Sequence, residues 1–326
     1  FMLNLDMAGF YAKVARDWHD SALPDGMLTD TAPFVGIQYC GVAWAMAHPL
    51  LQLQLYKYYG DRRIIEDQYA TSKRWLDLVA DRNQNHIIEK GLSDHEALVR
   101  APAPEMVTPL YCESARLLAQ LARILGKDDD AQTCADRAGA IKRAYQEKFP
   151  PTEAGRVPPG TQASQSFALH LDMLDEGRRE AALQYLLDDI RTRNEGRLTT
   201  GIFGTRYLLE VLSRAGHAGA AYDIVNRRDF PGWGHMLANG ATTLWEHWAL
   251  SENTFSHNHP MFGSVSQWFF NWLGGIQAHP RAVGFDRIII RPQVVGDLKW
   301  VRCRYDSIRG PIASDWRLDG DRLHLN

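Results

Sequence analysis

The stretch "LLAQLARILGKDDDAQTCADRAGAIKRAYQEKF", residues 117–149, decides the fold class because two helical patterns meet in it at a single glycine. Gly126 favours the left-handed backbone that ends a helix, and the aspartates that follow it favour the start of the next helix. The same arrangement occurs in "YYGDRR", residues 58–63. Such short connections predict antiparallel neighbours in an all-helical arrangement.

Helical periodicity continues over most of the chain, up to about residue 275. We expect a first helix within residues 3–20 and further helices near residues 42–59, 61–81, 106–125, 128–149, 163–173, 177–193, 204–215, 217–228 and 263–276. A Pro/Gly-rich loop, "FPPTEAGRVPPGTQ", interrupts them at residues 149–162. No fixed repeat period is present, which argues against a solenoid. The pattern favours a closed ring of helical hairpins whose loops build a pocket on one face.

The pattern changes after Pro280. Three consecutive isoleucines in "FDRIIIRP" and the alternation in "LKWVRCRYDSI" are typical of β-strands. An Asp-Gly turn separates two alternating runs in "ASDWRLDGDRLHLN", which predicts a hairpin. We therefore expect a helical domain over residues 1–279 and a small β domain over residues 280–326 that is cut off before it is complete.

The composition is that of an ordinary globular protein with a sizeable core, since 45% of the residues are hydrophobic and 23% are charged. The net charge of −3, from 36 basic and 39 acidic residues, favours neither a nucleic acid nor an anionic membrane as a partner. No apolar run approaches the ~20 residues of a membrane-spanning helix. The sequence predicts neither a compartment nor an oligomeric state.

The four cysteines argue against a disulfide framework and against a cysteine-based zinc site. They are far apart and form no Cys-x-x-Cys pair. Two of them fall in helical patterns among apolar residues, where buried free thiols are common. The four are Cys40, Cys112, Cys134 and Cys303.

Glu246 is the first candidate for chemistry. A glutamate is ordinarily a solvated surface residue, but Glu246 stands between Trp245 and Trp248 in "NGATTLWEHW", which lacks a clear helical stripe. A carboxylate set among tryptophans is partly desolvated, an environment that suits a general base.

Other polar and aromatic residues leave alternatives open. His257 and His259 have a spacing that suits metal ligation from a loop, but no third ligand is evident, so a hydrogen-bonding role is favoured. Trp44 suits a sugar platform or the core. Asp94 and Glu96 lie in the predicted loop "GLSDHEAL", residues 91–98, where a pair of acidic residues is usually solvated. The sequence predicts no metal and no cofactor.

Several stretches together resemble the bacterial α-L-rhamnosidases of glycoside hydrolase family 78. The resemblance rests on "GATTLWEHW", "SHNHPMFGSVSQWFFNWLGGI" and "GFDRIIIRP", and extends upstream through "TQASQSFALHLDM" and "GLSDHEAL". It covers nearly the whole chain in family order. It implies a mainly α fold, an (α/α)6 barrel followed by a C-terminal β-sandwich. It also implies inverting hydrolysis of terminal α-L-rhamnosyl groups, with a rhamnosylated glycoside or polysaccharide as the partner.

The resemblance also implies roles for individual residues. The glutamate of the family's Trp-Glu element, a general base, corresponds to Glu246. The histidine of its Asn-His element, which lines the sugar pocket, corresponds to His259. An early aromatic residue that stacks on the sugar corresponds to Trp44. Together with these, the substrate-binding residues are expected to include Asp94, His95 and Trp245.

The chain departs from the family pattern at three points. The family's general acid lies in an Asp-Glu-Arg-type segment that this chain lacks and that, by family order, would precede Phe1. Two opening helices of the expected twelve would also precede Phe1. We therefore expect a gap in the barrel wall beside Glu246 unless another segment fills that gap. His95 stands where the family often has a tryptophan, and Trp44-Ala45-Met46 stands where it often has Trp-Gly-Asp.

Two alternatives remain for the function. One is a related (α/α)6 enzyme with another sugar specificity, including an unsaturated-uronyl hydrolase or lyase, since the fold alone does not fix the reaction. The other is a non-catalytic carbohydrate-binding relative. Glu246 argues against the second alternative, because binding needs no base.

Overall fold

A computed structural model describes residues 1–36, 41–252 and 256–326 of the chain. Twelve α-helices lie in these ranges: α1 Ala8–Asp20, α2 Val42–Ala45, α3 Ala47–Tyr59, α4 Arg63–Arg82, α5 Ala103–Leu125, α6 Asp128–Lys148, α7 Gln162–His170, α8 Glu176–Asp188, α9 Ile202–Arg214, α10 Ala218–Asn226, α11 Trp233–Ala238 and α12 Ser264–Trp268. Short π-helical turns, Asp189–Arg193 and Phe269–Leu273, extend α8 and α12. No helix in the described ranges is both long and apolar enough to cross a membrane.

The helices form two layers. In the inner layer α3 packs on α5, α5 on α7, α7 on α9 and α9 on α12. Other helices pack outside this layer, with α4 against α3 and α5, α6 against α5, α8 against α7 and α10 against α9. Burial separates the layers, since eight of the nine residues of α7 are buried but only four of the thirteen residues of α8 are. The inner helices therefore form the wall of the barrel core.

The wall has a gap between α12 and α3. The segment Phe1–Asn4 lies there, beside a cavity of about 430 Å³. Side chains of α3, α9 and the start of α12 line this cavity, and Trp44 and Phe203 lie among them. The described residues thus leave an open space in the helical wall next to these two aromatic side chains.

The predicted helix boundaries agree closely with the structure, with local differences. Gly60 and Gly126 end α3 and α5 with φ of 70° and 74°, as the sequence predicts. The single helix predicted over residues 42–59 is interrupted at Met46, because Pro49 has no N–H to donate to the carbonyl of Ala45. The six-residue α11 is too short to give a periodic pattern and was not predicted.

The strands form two small antiparallel sheets. β1 (Ile276–Ala278) pairs with β2 (Ile288–Ile290), and β3 (Trp300–Ser307) pairs with β4 (Gly310–Asp319), which pairs with β5 (Arg322–Leu325). Ile276 was expected at the end of a helix but begins β1, because the chain turns at Gly275, with φ of 74°. The predicted hairpin turn at Gly320 joins β4 and β5.

The sheets are anchored to the helical part by buried side chains. Ile276, Phe285 and Tyr305 form a small core with Leu3. The indole N–H of Trp316 donates to the carbonyl of Leu273 at 2.8 Å. Of the cysteines, Cys112 and Cys134 are buried free thiols and Cys303 is a half-buried one, whereas Cys40 lies outside the described residues.

Candidate active site

Glu246 lies in a segment that pairs with residues 256–259. Its backbone N–H donates to the carbonyl of Ser256 at 2.9 Å, and the N–H of His259 donates to the carbonyl of Leu244 at 2.8 Å. The N–H of Ser256 also donates to Oε2 of Glu246 at 3.1 Å. The same pairing brings Nδ1 of His259 to 3.5 Å from Oε2. One oxygen of the carboxylate is therefore held from two sides, while the side chain stays 22% exposed.

The two tryptophans that flank Glu246 are buried and anchor its segment. Trp248 is fully buried, packs against Phe262 with ring centroids 3.8 Å apart, and donates its indole N–H to the carbonyl of Thr200 at 2.8 Å. Trp245 is 3% exposed and stacks on His257 at 5.2 Å. Trp245 was expected to contact the substrate, but its buried indole offers almost no surface to a sugar. An irregular segment gives no period from which to predict that burial.

Asp94 also lies beneath the site and not on its surface. Its carboxylate accepts the backbone N–H groups of Gly201, Phe203 and Gly204 at 2.7, 3.1 and 2.9 Å. These are among the first N–H groups of α9, which have no partner within the helix. Burial raises the pKa of Asp94 to about 6, although the three N–H donors oppose that rise. Asp94, expected to bind substrate, instead caps α9.

This cap fixes the loop that carries His95. The N–H of Ile202 donates to the carbonyl of His95 at 2.9 Å. A Cβ atom on Gly201 would lie 1.9 Å from that carbonyl oxygen, so the close approach requires glycine. Because Trp248 is bound to Thr200 in the same turn, the start of α9 holds both the His95 loop and the Glu246 segment.

The side chains of Trp44, His95, Glu246 and His259 meet above the start of α9. Nε2 of His95 lies 3.8 Å from Oε1 of Glu246. The His95 ring meets Trp44 edge to face at 6.3 Å, and Trp44 packs against Phe203 at 5.6 Å. The arrangement offers a carboxylate with one oxygen fixed, two imidazoles and an aromatic wall. It can take a proton from a water molecule and bind a polar ring compound with an apolar face.

Two residues of the site were not expected from the sequence. Oε1 of Glu96 lies 3.5 Å from Nε2 of His95, and its Oε2 lies 3.5 Å from Nε2 of His247. The Glu96 side chain is only 13% exposed, although an acidic residue in a loop is usually solvated. His257, by contrast, packs on Trp245.

Within the described ranges no group of three or more His, Cys, Asp and Glu residues could hold a metal ion.

Comparison with known proteins identifies the family. The family model of the bacterial alpha-L-rhamnosidase 6 hairpin glycosidase domain matches residues 1–273. That of the bacterial alpha-L-rhamnosidase C-terminal domain matches residues 275–326. The chain belongs to the bacterial alpha-L-rhamnosidase family. The match confirms the resemblance noted in the sequence and the mainly helical six-hairpin fold that it implies.

Individual rhamnosidases resemble the chain over nearly its whole length. A curated alpha-L-rhamnosidase of Streptomyces avermitilis is 30% identical over 96% of this chain and 31% of its own length. The solved alpha-L-rhamnosidase of Dictyoglumus thermophilum is 32% identical with a TM-score of 0.93, over 98% of this chain and 37% of that chain. The Streptomyces avermitilis alpha-L-rhamnosidase complexed with L-rhamnose is 29% identical with a TM-score of 0.91, over 98% of this chain and 32% of that chain. The chain thus spans roughly a third of the length of these rhamnosidases.

Proposed function

We propose that the protein containing this chain removes terminal α-L-rhamnosyl groups from glycosides or polysaccharides with inversion of the anomeric centre. Membership of the rhamnosidase family and the relative solved with L-rhamnose support the substrate class. The observation that carries the proposal is the position of the Glu246 carboxylate. One of its oxygens is held by Ser256 N–H and faces His259, and the side chain reaches the surface beside Trp44 and His95.

Glu246 acts as the general base in this proposal. Oε2 is fixed, so Oε1 takes the proton of the water that attacks the anomeric carbon. An inverting enzyme needs a second carboxyl group roughly 6.5–9.5 Å from the base to protonate the leaving oxygen. We assign that group to a segment outside this chain, as the family resemblance implies. Trp44 packs against the apolar face of the sugar, and His259 binds a sugar hydroxyl.

The test is hydrolysis by the full-length protein, followed by proton NMR of the released sugar. We expect p-nitrophenyl α-L-rhamnoside to release β-L-rhamnose first, which then mutarotates. First release of the α anomer would contradict inversion, and absence of hydrolysis on a panel of α-L-rhamnosides would contradict the substrate class. Release of another sugar from a matched panel of aryl glycosides would favour a different specificity on the same fold.

A further inference from the structure

Glu96 lies between two imidazoles of the candidate site and takes no part in the proposed proton transfer. Its Oε1 faces Nε2 of His95 and its Oε2 faces Nε2 of His247, each at 3.5 Å. Its backbone has φ of 61°, in the left-handed region that non-glycine residues seldom adopt. The Asp94 cap on α9 holds this loop in place, so the Glu96 side chain is directed into the site and is only 13% exposed.

Hydrogen bonding fixes the orientation of the His247 ring. The N–H of Ala249 donates to Nδ1 of His247 at 3.1 Å, so that nitrogen acts as an acceptor and carries no proton. The ring proton is therefore on Nε2, which faces Glu96. One oxygen of Glu96 accordingly meets an N–H group from the residue that directly follows Glu246.

His95 is shared between two carboxylates. Its Nε2 lies 3.5 Å from Oε1 of Glu96 and 3.8 Å from Oε1 of Glu246. A nitrogen lone pair directed at two carboxylate oxygens would be repelled by both, so Nε2 carries a proton. That N–H can form one strong hydrogen bond, and the two oxygens compete for it. Contacts of this length in a site without substrate often shorten when the substrate binds.

Both oxygens of Glu246 would accept hydrogen bonds if His95 bound to it. Oε2 already accepts the N–H of Ser256 and faces His259. Oε1 is then the oxygen that remains for the proton of the attacking water. An N–H of His95 bonded to Oε1 would take one of the two lone pairs of that oxygen, compete with the water for it and weaken the carboxylate as a base.

We propose that Glu96 is a positioning residue that draws the Nε2–H of His95 away from Glu246 and so keeps the reactive oxygen of the base free. This inference rests on the proposed function, because it assigns to Glu246 the role of base. Glu96 does not touch the substrate or the reacting water. It acts through His95, and His247 holds its second oxygen.

Glu96→Gln tests the proposal in the full-length protein, because it keeps the size of the side chain and removes the charge. We expect kcat for p-nitrophenyl α-L-rhamnoside to fall about tenfold, because one charge-assisted hydrogen bond is lost. KM should stay within about twofold of the wild-type value. In a His95→Phe background, which has no ring N–H to release, the same change should alter kcat less than about twofold. Glu195→Gln is the matched control, since Glu195 also has a positive φ, of 52°, and is largely exposed; its kcat should be unchanged.

A crystal structure of Glu96→Gln gives a readout that does not depend on activity. We expect Nε2 of His95 to move into hydrogen-bond distance of Oε1 of Glu246. An unmoved His95 ring would overturn the proposal, and so would an equal loss of kcat in the His95→Phe background. If the wild-type protein hydrolyses no rhamnoside, the proposed function fails, and the position of His95 in the variant still decides the role of Glu96.

Discussion

Nε2 of His95 lies 3.8 Å from Oε1 of Glu246, although the two residues come from loops far apart in the chain. The start of α9 explains the proximity. Asp94 accepts three N–H groups of that turn, and Trp248 donates to Thr200 immediately before it. One helix terminus therefore sets the distance between the proposed base and the imidazole beside it.

The role of Glu246 is tested by Glu246→Gln in the full-length protein. The amide keeps the hydrogen bond from Ser256 but cannot take a proton from water, so we expect kcat to fall about 10²–10⁴-fold. Circular dichroism and the unfolding temperature should stay near the wild-type values, because the side chain is partly exposed and its size is unchanged. Turnover of a good rhamnoside substrate near the wild-type rate would exclude Glu246 as the base.

His95 stands where the family resemblance predicts a tryptophan, so the wall beside Trp44 is polar. We expect the wild-type protein to hydrolyse aryl α-L-rhamnosides more weakly than typical family members. His95→Trp should lower KM about fivefold, since an aromatic contact is worth ~1 kcal/mol beyond the area that it buries. His257→Trp is the control, because His257 stacks on Trp245 and lies outside the cluster of proposed substrate contacts. Ordinary family efficiency in the wild type would show that the substitution does not matter.

The sequence predicts the fold and the part of the candidate site that is local in the chain. Glycines such as Gly126 end helices by local backbone chemistry, so the boundaries can be read without the tertiary structure. Glu246 and His259 lie in one short stretch and pair locally. Glu96 received no role and Asp94 was expected to bind substrate, because a buried cap and a site carboxylate have the same sequence pattern as two solvated loop acids. Their roles depend on contacts with α9, a helix that begins far along the chain.

Gly201→Ala tests the dependence of the site on the start of α9. The added Cβ would lie 1.9 Å from the His95 carbonyl oxygen and 2.6 Å from the Ala97 nitrogen, so the loop must move. We expect about 2–3 kcal/mol less stability in urea unfolding, together with lower kcat. Gly219→Ala, in α10, is the matched control, because no atom lies within 4 Å of its Cβ position and alanine favours a helix. Equal stability of the two variants would contradict this account.

His48 makes the stability of the protein depend on pH. The side chain is fully buried between α3 and α4, with Nδ1 2.8 Å from Oγ of Ser72 and Nε2 3.3 Å from Oε1 of Gln68. Burial lowers its pKa from 6.5 to about 4. The unfolded chain therefore binds a proton between these values that the folded chain does not, and stability falls as the pH drops from 6.5 to 4.

Urea unfolding of the wild type and of His48→Asn between pH 7 and pH 4 measures this contribution. The variant should be less stable at pH 7, since asparagine does not replace all the buried contacts. The wild type should lose roughly 3 kcal/mol more than the variant across the range, from the size of the pKa shift. Burial also lowers the pKa of His170, to about 3, but His170 is present in both proteins and cancels in the difference. His324→Asn, at an exposed position of β5, is the control for the loss of a histidine as such. Parallel curves for the wild type and His48→Asn would show that His48 is not buried in its neutral form.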